Sequence, residues 1–266
     1  MTALQWGNDG DSPLLAIHGW LDNAASFQPL QPYLTGFNTV ALDLPGHGHS
    51  QHRGDGEYYH FIDYLSVVRD VVGQLGWDQF NLLGHSLGTG ITSLYAALFP
   101  ESVIKVALID GLGPFSVSTV NAVKAHRMAM QQMVRTLERP HSIYPDIEQA
   151  VDARLAAGKL SREAARLLVE RNSLQTAKGI TWRTDRKLKV RTPLYLSEDQ
   201  VLAYLREIVC PVLLVRPDNG NLHDRTNMPA RYAEVKNLTI EEVSGGHHVH
   251  MDQPKAVAAI LNNFFA

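Results

Sequence analysis

Through the first hundred residues, short unbroken apolar runs alternate with segments whose apolar positions recur at helical spacing. Leu14-Leu15-Ala16-Ile17 is such a run, and the absence of polar alternation predicts a strand over 14–17 that is buried on both faces. The same reading predicts strands over 39–42, 80–83 and 103–109. A helix is predicted between the first two, over about 25–34. Phe61, Leu65, Val68, Val72 and Leu75, spaced by four and three, define one face of another. Ile91, Leu94, Tyr95 and Leu98 define a third, which Phe99-Pro100 should stop because proline disfavours helical geometry in the residue before it. Strand and helix in alternation predict a mostly parallel sheet with helices on both faces, the α/β class.

The rhythm breaks near Pro114. From there to Ile208 no strand is predicted and the apolar patterns are helical. Met130, Met133, Val134 and Leu137 form one stripe, Pro145 can open a helix that Gly158 closes, and Ser161 can cap another over 162–171. Helical material of this length between two sheet strands has to lie over the sheet edge. Residues 114–208 are therefore expected to form a cap on a core of 1–113 and 209–266. Strands resume over 212–215 and 238–243, and Val257, Ile260, Leu261 and Phe264 face inward from a closing helix.

The composition narrows the class of protein. A chain of 266 residues, 45% apolar and 19% charged, suits one soluble α/β domain with an insertion. A net charge of −3 gives no overall attraction to nucleic acid or membranes. Cys210 is the only cysteine, which excludes an internal disulfide, and the apolar run after it reads as buried packing. The start of the chain is short, polar and without a basic segment, and no apolar stretch approaches the roughly 20 residues of a membrane span. A cytoplasmic location is expected, and a homodimer is left open.

The chemistry begins at Gly84-His85-Ser86-Leu87-Gly88, a G-x-S-x-G pattern between a predicted strand and a predicted helix. The turn makes Ser86 the candidate nucleophile, and flanking glycines let strand and helix approach without Cβ clashes. A serine hydroxyl needs a base, and histidine has the suitable pKa. After the last predicted strand come Gly245-Gly246-His247-His248-Val249-His250, where three histidines compete.

With Asp43-Leu44-Pro45-Gly46-His47-Gly48-His49-Ser50 added, the chain resembles the α/β-hydrolase superfamily over nearly its whole length. The segment His18-Gly19-Trp20-Leu21-Asp22-Asn23-Ala24-Ala25-Ser26-Phe27 looks closest to the serine hydrolase-like proteins. The resemblance implies an α/β-hydrolase fold with a helical cap and the chain order serine, acid, histidine. It selects His247 as base over His248, by its place after the glycine pair and before Pro254, and leaves His250 to packing or the surface. It implies an oxyanion hole from the backbone N–H groups of Trp20 and Leu87, with the Trp20 ring lining the pocket. Because only about a dozen residues precede the first predicted strand, the family's leading hairpin is expected to be truncated.

The acid is less determined. Most of the superfamily carries it after the penultimate strand, in a P-x-h-h-h-x-G-x-x-D segment. Here that segment runs from Pro211 to Gly220, and a glycine stands where the acid should be. Asp218 lies two residues early, while Asp110 ends the fourth strand, as in branches whose acid follows the earlier strand. Neighbouring strands lie about 4.8 Å apart, so either carboxylate can reach one histidine. Asp110 is preferred, Asp218 is the alternative, and Asp224 or no acid remains.

Other constellations weigh less. His47, His49 and His52, or His248 and His250, suggest a metal, but no cysteine or further ligand motif accompanies them, so no metal is expected. Neither a phosphate loop nor G-x-G-x-x-G spacing is present, so no cofactor is expected. The basic residues Arg183, Arg186, Lys187, Lys189 and Arg191 read as a solvated face, or as attraction for an anionic acyl thioester. Met128, Met130 and Met133 read as packing of a cap helix. The expected activity is hydrolysis of small-molecule carboxylic esters through an acyl-enzyme. Thioesterase, carbon–carbon bond hydrolase and aminopeptidase are rivals, and a non-catalytic binding protein on the same fold is the alternative of another class. Dehalogenase and epoxide hydrolase chemistry is disfavoured, since both need a carboxylate where Ser86 stands.

Overall fold

The computed structural model describes residues 1–138, 140–220 and 225–266, apart from the side chains of Val134 and Leu137. Its centre is a sheet built from β1 (Thr2–Trp6), β2 (Ser12–Ile17), β3 (Phe37–Asp43), β4 (Phe80–His85), β5 (Val103–Ile109), β8 (Val212–Asn219) and β9 (Leu238–Gly246). The strand order is β1-β3-β2-β4-β5-β8-β9, with β1 antiparallel to β3 and every other pair parallel.

Parallel strands buried on both faces have to be apolar throughout, and their two faces sort the core by residue parity. Leu15 and Ile17 point to one side with Leu82, Val106 and Leu108, where α1 (Asp63–Leu75) and α2 (Leu87–Leu98) cover them. Leu14 and Ala16 point to the other with Leu83, Ala107 and Ile109, under Phe27, Leu30 and the closing helix α9 (Pro254–Phe265).

The leading hairpin is reduced to a single strand, as expected, although no strand was predicted there: Thr2–Trp6 alternates half-buried and exposed positions and turns Leu4 and Trp6 onto the second core. It pairs with β3 and not with β2, so it forms no hairpin with its neighbour in sequence. Two other expectations about the core need correction. The helix expected over 25–34 is a 3-10 helix, Ala24–Leu30, containing Pro29, which has no N–H to donate. Leu98 is 45% exposed, because α2 turns that position away from the sheet in its last turn.

Between β5 and β8 lie α3 (Thr119–Glu138), α4 (Ile147–Ala157), α5 (Arg162–Asn172) and α6 (Glu198–Arg206). Asp146 and Ser161 cap α4 and α5, accepting from Gln149 N–H and Ala164 N–H. A hairpin, β6 (Ser173–Thr176) and β7 (Gly179–Trp182), also lies here, where no strand was expected. Each strand has four residues, too few to display an alternation, and Trp182 gains its burial from Tyr144 and the small core of α4 and α5. The helix α6 packs on α2, with Val201 and Leu205 in the first core. Further along, α7 (Met228–Glu234) joins β8 to β9, and α8 (Val249–Asp252) precedes α9. Cys210 is buried, and burial pushes its thiol up to about 11.

Buried polar contacts hold the inserted segment on the sheet. Arg171 of α5 binds both carboxylate oxygens of Asp43, with Nη2 at 2.8 Å from Oδ2. Arg154 of α4 reaches Asp22 at 3.0 Å, and Asn23 donates to Leu168 O at 2.8 Å.

Candidate active site

The site forms at the C-terminal edge of β2, β4 and β5, and in the segments following β8 and β9. At the end of β4 the chain turns into α2 through Ser86, whose φ of 52° and ψ of −112° are uncommon for a residue with a side chain. The turn is tight because α2 lies almost on the sheet. A Cβ on Gly88 would sit 1.9 Å from Ile17 O, and one on Gly84 would sit 2.6 Å from Thr92 Oγ1. Ser86 N–H donates to Ile109 O at 3.1 Å, which fixes the elbow to β5.

Two other non-glycine residues have left-handed backbone: Leu21 at φ 63° and Asp110 at φ 52°. Among the described residues, Leu21, Ser86 and Asp110 complete that set, and each stands just beyond a strand end at this site. Such conformations cost about 1–3 kcal/mol each and persist where surrounding structure enforces them.

His247 follows β9, and its Nδ1 hydrogen-bonds Asp110 Oδ2. Asp110 is 2% exposed. Its carboxylate occupies the space beside Gly220, where a Cβ would lie 2.3 Å from Asp110 Oδ1. The glycine at the family's usual acid position is thus the steric complement of a carboxylate arriving from β5. Asp218 points elsewhere: it is exposed, and its Oδ1 accepts Gly245 N–H at 2.9 Å. That backbone N–H and the Ser244 hydroxyl hold its carboxyl below the usual range. Asp224 lies outside the described residues.

The remaining histidines pack behind His247. His85, inside the elbow motif, donates from Nε2 to His247 O at 2.9 Å. His248 Nε2 is 3.0 Å from Asp22 Oδ2, and His250 Nε2 is 2.7 Å from Ser26 Oγ. Burial, reinforced by the neighbouring rings, pushes His85 and His250 well down, so both are neutral. Asp22 is held well below the carboxylate range: burial opposes ionisation, but His248 and Arg154 together outweigh it. Nothing in the local sequence singles out Asp22, His85 or Arg154, whose association is made only by the fold.

Ligand atoms of Asp22, His85 and His248 come within 4.8 Å of one another, a spacing a metal could use. Arg154 Nη2, at 3.0 Å from Asp22 Oδ1 and 3.5 Å from His248 Nε2, puts a fixed positive charge against that spot and opposes a cation. His47, His49 and His52 form no ligand group among the described residues. His47 meets His18 edge to face and is pushed down to about 3 by burial and by that ring.

Ser86, Leu87, Trp20 and His247 line one cleft of about 1550 Å³ between the sheet edge and the inserted helices. Its size exceeds the roughly 300–1,000 Å³ usual for a small-ligand pocket, so a substrate longer than a simple ester has room. Leu87 is the first residue of α2, where a backbone N–H has no acceptor within the helix. Trp20 is tethered by its indole N–H, which donates to Leu188 O at 2.8 Å. The basic run divides. Lys187 Nζ donates to Arg53 O and Gly54 O, and Arg183 Nε to Ser173 O, whereas Lys189 and Arg191 line the cleft.

Comparison with known proteins agrees with this architecture. Residues 12–254 match the family model described as alpha/beta hydrolase fold. The chain is similar to the serine hydrolase-like protein of Danio rerio, 31% identical over 97% of this chain and 83% of the relative. Among solved structures it resembles a hypothetical protein of Pseudomonas aeruginosa PAO1, with TM-score 0.94 and 39% identity over 99% of this chain and 94% of that one. The thioesterase domain from the curacin biosynthetic pathway superposes with TM-score 0.84 and 26% identity, over 97% and 93% of the two chains.

Proposed function

The chain belongs to the alpha/beta hydrolase fold family and resembles its serine hydrolase-like members, and on that premise we propose that it hydrolyses carboxylic esters through an acyl-enzyme on Ser86. His247 takes the hydroxyl proton as Ser86 attacks the carbonyl, and Asp110 orients the imidazole and stabilises its cation. The tetrahedral oxyanion is received by the backbone N–H groups of Trp20 and Leu87. His247 then passes its proton to the leaving alkoxide. A water molecule, deprotonated by the same ring, releases the acid.

The observation that carries this reading is the pairing of His247 with buried Asp110 at the rim of the cleft that the strained Ser86 also lines. Strain at an elbow serine has a use in catalysis, since it holds Oγ clear of the sheet for attack. His85 contributes as a positioning residue, its ring fixing the backbone that carries His247.

Thioester cleavage is the second reading, favoured by the 26% identity to a thioesterase domain over nearly the whole chain. Both share one mechanism and differ in the leaving group. The test is turnover of p-nitrophenyl esters of graded chain length and of the matching acyl-coenzyme A thioesters, by wild type and Ser86→Ala. Ser86-dependent turnover is expected, with the ratio of the two series choosing between the readings. Absence of turnover together with no labelling of Ser86 by a fluorophosphonate would sink both.

A further inference from the structure

The charges around the cleft are one-sided. Asp22 and Asp63 are the acidic residues in its lining among the described residues, and both are engaged: Asp22 by Arg154 and His248, Asp63 by Arg53 at 2.7 Å. Of the lining cations, Arg154 is paired with Asp22, and Arg231 is held by Glu198. Lys159, Lys189, Arg191 and Arg225 also line the cleft, and none has a carboxylate partner among the described residues. A chain of net charge −3 therefore presents an excess of cations along the cleft that Ser86 and His247 line.

Arg225 stands apart within this set. Its guanidinium carbon lies 4.1 Å from the centroid of the Phe115 ring, and Phe115 is itself half exposed at the cleft. A guanidinium stacked on an aromatic face keeps its N–H donors in the plane and loses rotational freedom, which prepares it for a forked hydrogen bond to an anion. Arg225 also lies within electrostatic range of Asp110, which favours its charge, while partial desolvation and the nearby Arg231 disfavour it.

We propose that the cleft takes acyl substrates carrying an anionic oxygen group remote from the scissile carbonyl, and that Arg225, stacked on Phe115, is the residue that binds this group. This deepens the hydrolase reading and rests on Ser86 and His247 acting as described. The shared chemistry is a carboxylate or a phosphate. Lys189 and Arg191, which line the same cleft, then add to the attraction for the anion, and Arg225 fixes it.

The test compares kcat/KM for mono-p-nitrophenyl adipate with that for p-nitrophenyl hexanoate, and for hexanoyl-coenzyme A with hexanoyl-N-acetylcysteamine. Wild type is expected to favour the anionic member of at least one pair by about tenfold or more, the scale of a charge-assisted hydrogen-bond pair. The adipate pair reports a carboxylate and the coenzyme A pair a phosphate. In Arg225→Gln the preference should fall toward one, mainly through KM, and Arg225→Lys should restore part of it, keeping the charge without the fork. No preference in either pair, or a preference that survives Arg225→Gln, overturns the proposal while leaving ester hydrolysis intact.

If neither ester nor thioester is turned over in a Ser86-dependent way, the hydrolase reading fails by itself. The anion site is then judged by calorimetric titration of adipate and coenzyme A into the Ser86→Ala protein, with and without Arg225→Gln. Binding lost with Arg225→Gln supports the site, and equal binding, or none, overturns it.

Discussion

At the scale of single residues, the question is which carboxylate serves His247. Asp110 is buried and bonded to its Nδ1, whereas Asp218 is exposed and spends an oxygen on Gly245 N–H. Asp110→Asn should therefore lower kcat by about 10³–10⁴, the loss seen when a triad acid can no longer hold the right tautomer. Asp218→Asn should cost less than about tenfold, since it removes only a charge-assisted bond that shapes the β9 exit. A larger loss at Asp218 in the same esterase assay would reverse the assignment. Gly220 offers an independent check. Its alanine variant places a methyl group 2.3 Å from Asp110 Oδ1, so the carboxylate must move. Gly220→Ala should lose most of its kcat, with a melting temperature lowered as well, because the same methyl group also meets the Pro217 ring of β8 at 2.7 Å. Full activity would mean that Asp110 is dispensable. The glycine at this position was visible in the sequence as a missing acid. That it makes room for Asp110 was not, because complementarity between residues 110 and 220 exists only once β5 and β8 lie side by side.

At the scale of elements, legibility followed the length of each pattern. Strands β2 to β5 and β8 are runs of Leu, Ile, Val and Ala long enough to read as doubly buried, and the helix faces of α1 and α2 recur over three turns. The edge strand β1 and the hairpin of β6 and β7 have only four or five residues and take their burial from distant partners. Helix α6 could have been found, since Ser197 and Gln200 form a reciprocal capping box. It matters to the site through Arg231 of α7. That guanidinium, 2% exposed, forks onto Glu198 at the start of α6 and donates to Leu112 O and Pro114 O, the chain leaving β5. One side chain thereby ties three elements beside Asp110. Arg231→Met should leave Glu198 without its cation, held only by Ser116 and Asn227, and the Leu112 and Pro114 carbonyls without this donor, and destabilise the fold by about 3 kcal/mol, the low end for a broken buried pair because Glu198 is partly exposed. Arg231→Lys should recover little, having no fork to match the carboxylate. Urea unfolding gives the measurement, and a shift under about 0.5 kcal/mol, the size of an ordinary surface substitution, would demote the Arg231 network to decoration.

At the scale of the whole molecule, the buried ionisable groups predict how the fold meets acid. Asp43 lies below the carboxylate range because hydrogen bonds from Arg171 and from Ala24 and His49 N–H overcome the effect of its burial, and Glu198 is brought to about 2 first by its bonds to Arg231. A carboxyl depressed in the folded state stabilises it above the unfolded pKa and loses that contribution as pH falls toward the folded one. For Glu198 this window runs from its ordinary 4.5 down to about 2. The histidines act earlier. His18, His47, His85 and His250 are all lowered from 6.5, chiefly by burial. The unfolded chain therefore takes up protons below pH 6.5 that the folded chain refuses. The same linkage makes stability fall with pH from there, for His47 over the span from 6.5 to about 3. Each such ring contributes up to about 1.4 kcal/mol per pH unit. Thermal unfolding should accordingly weaken from about pH 6.5, well before any carboxylate here is protonated, and His47→Gln should flatten the slope between pH 6 and 4.5 relative to wild type. A melting temperature constant across that interval would mean that these rings are charged in the folded state. The edge-to-face contact of His18 with His47 and the neutral rings behind His247 would then need a different electrostatic account, one in which Asp22 and Asp43 hold cations in place of hydrogen-bonded imidazoles.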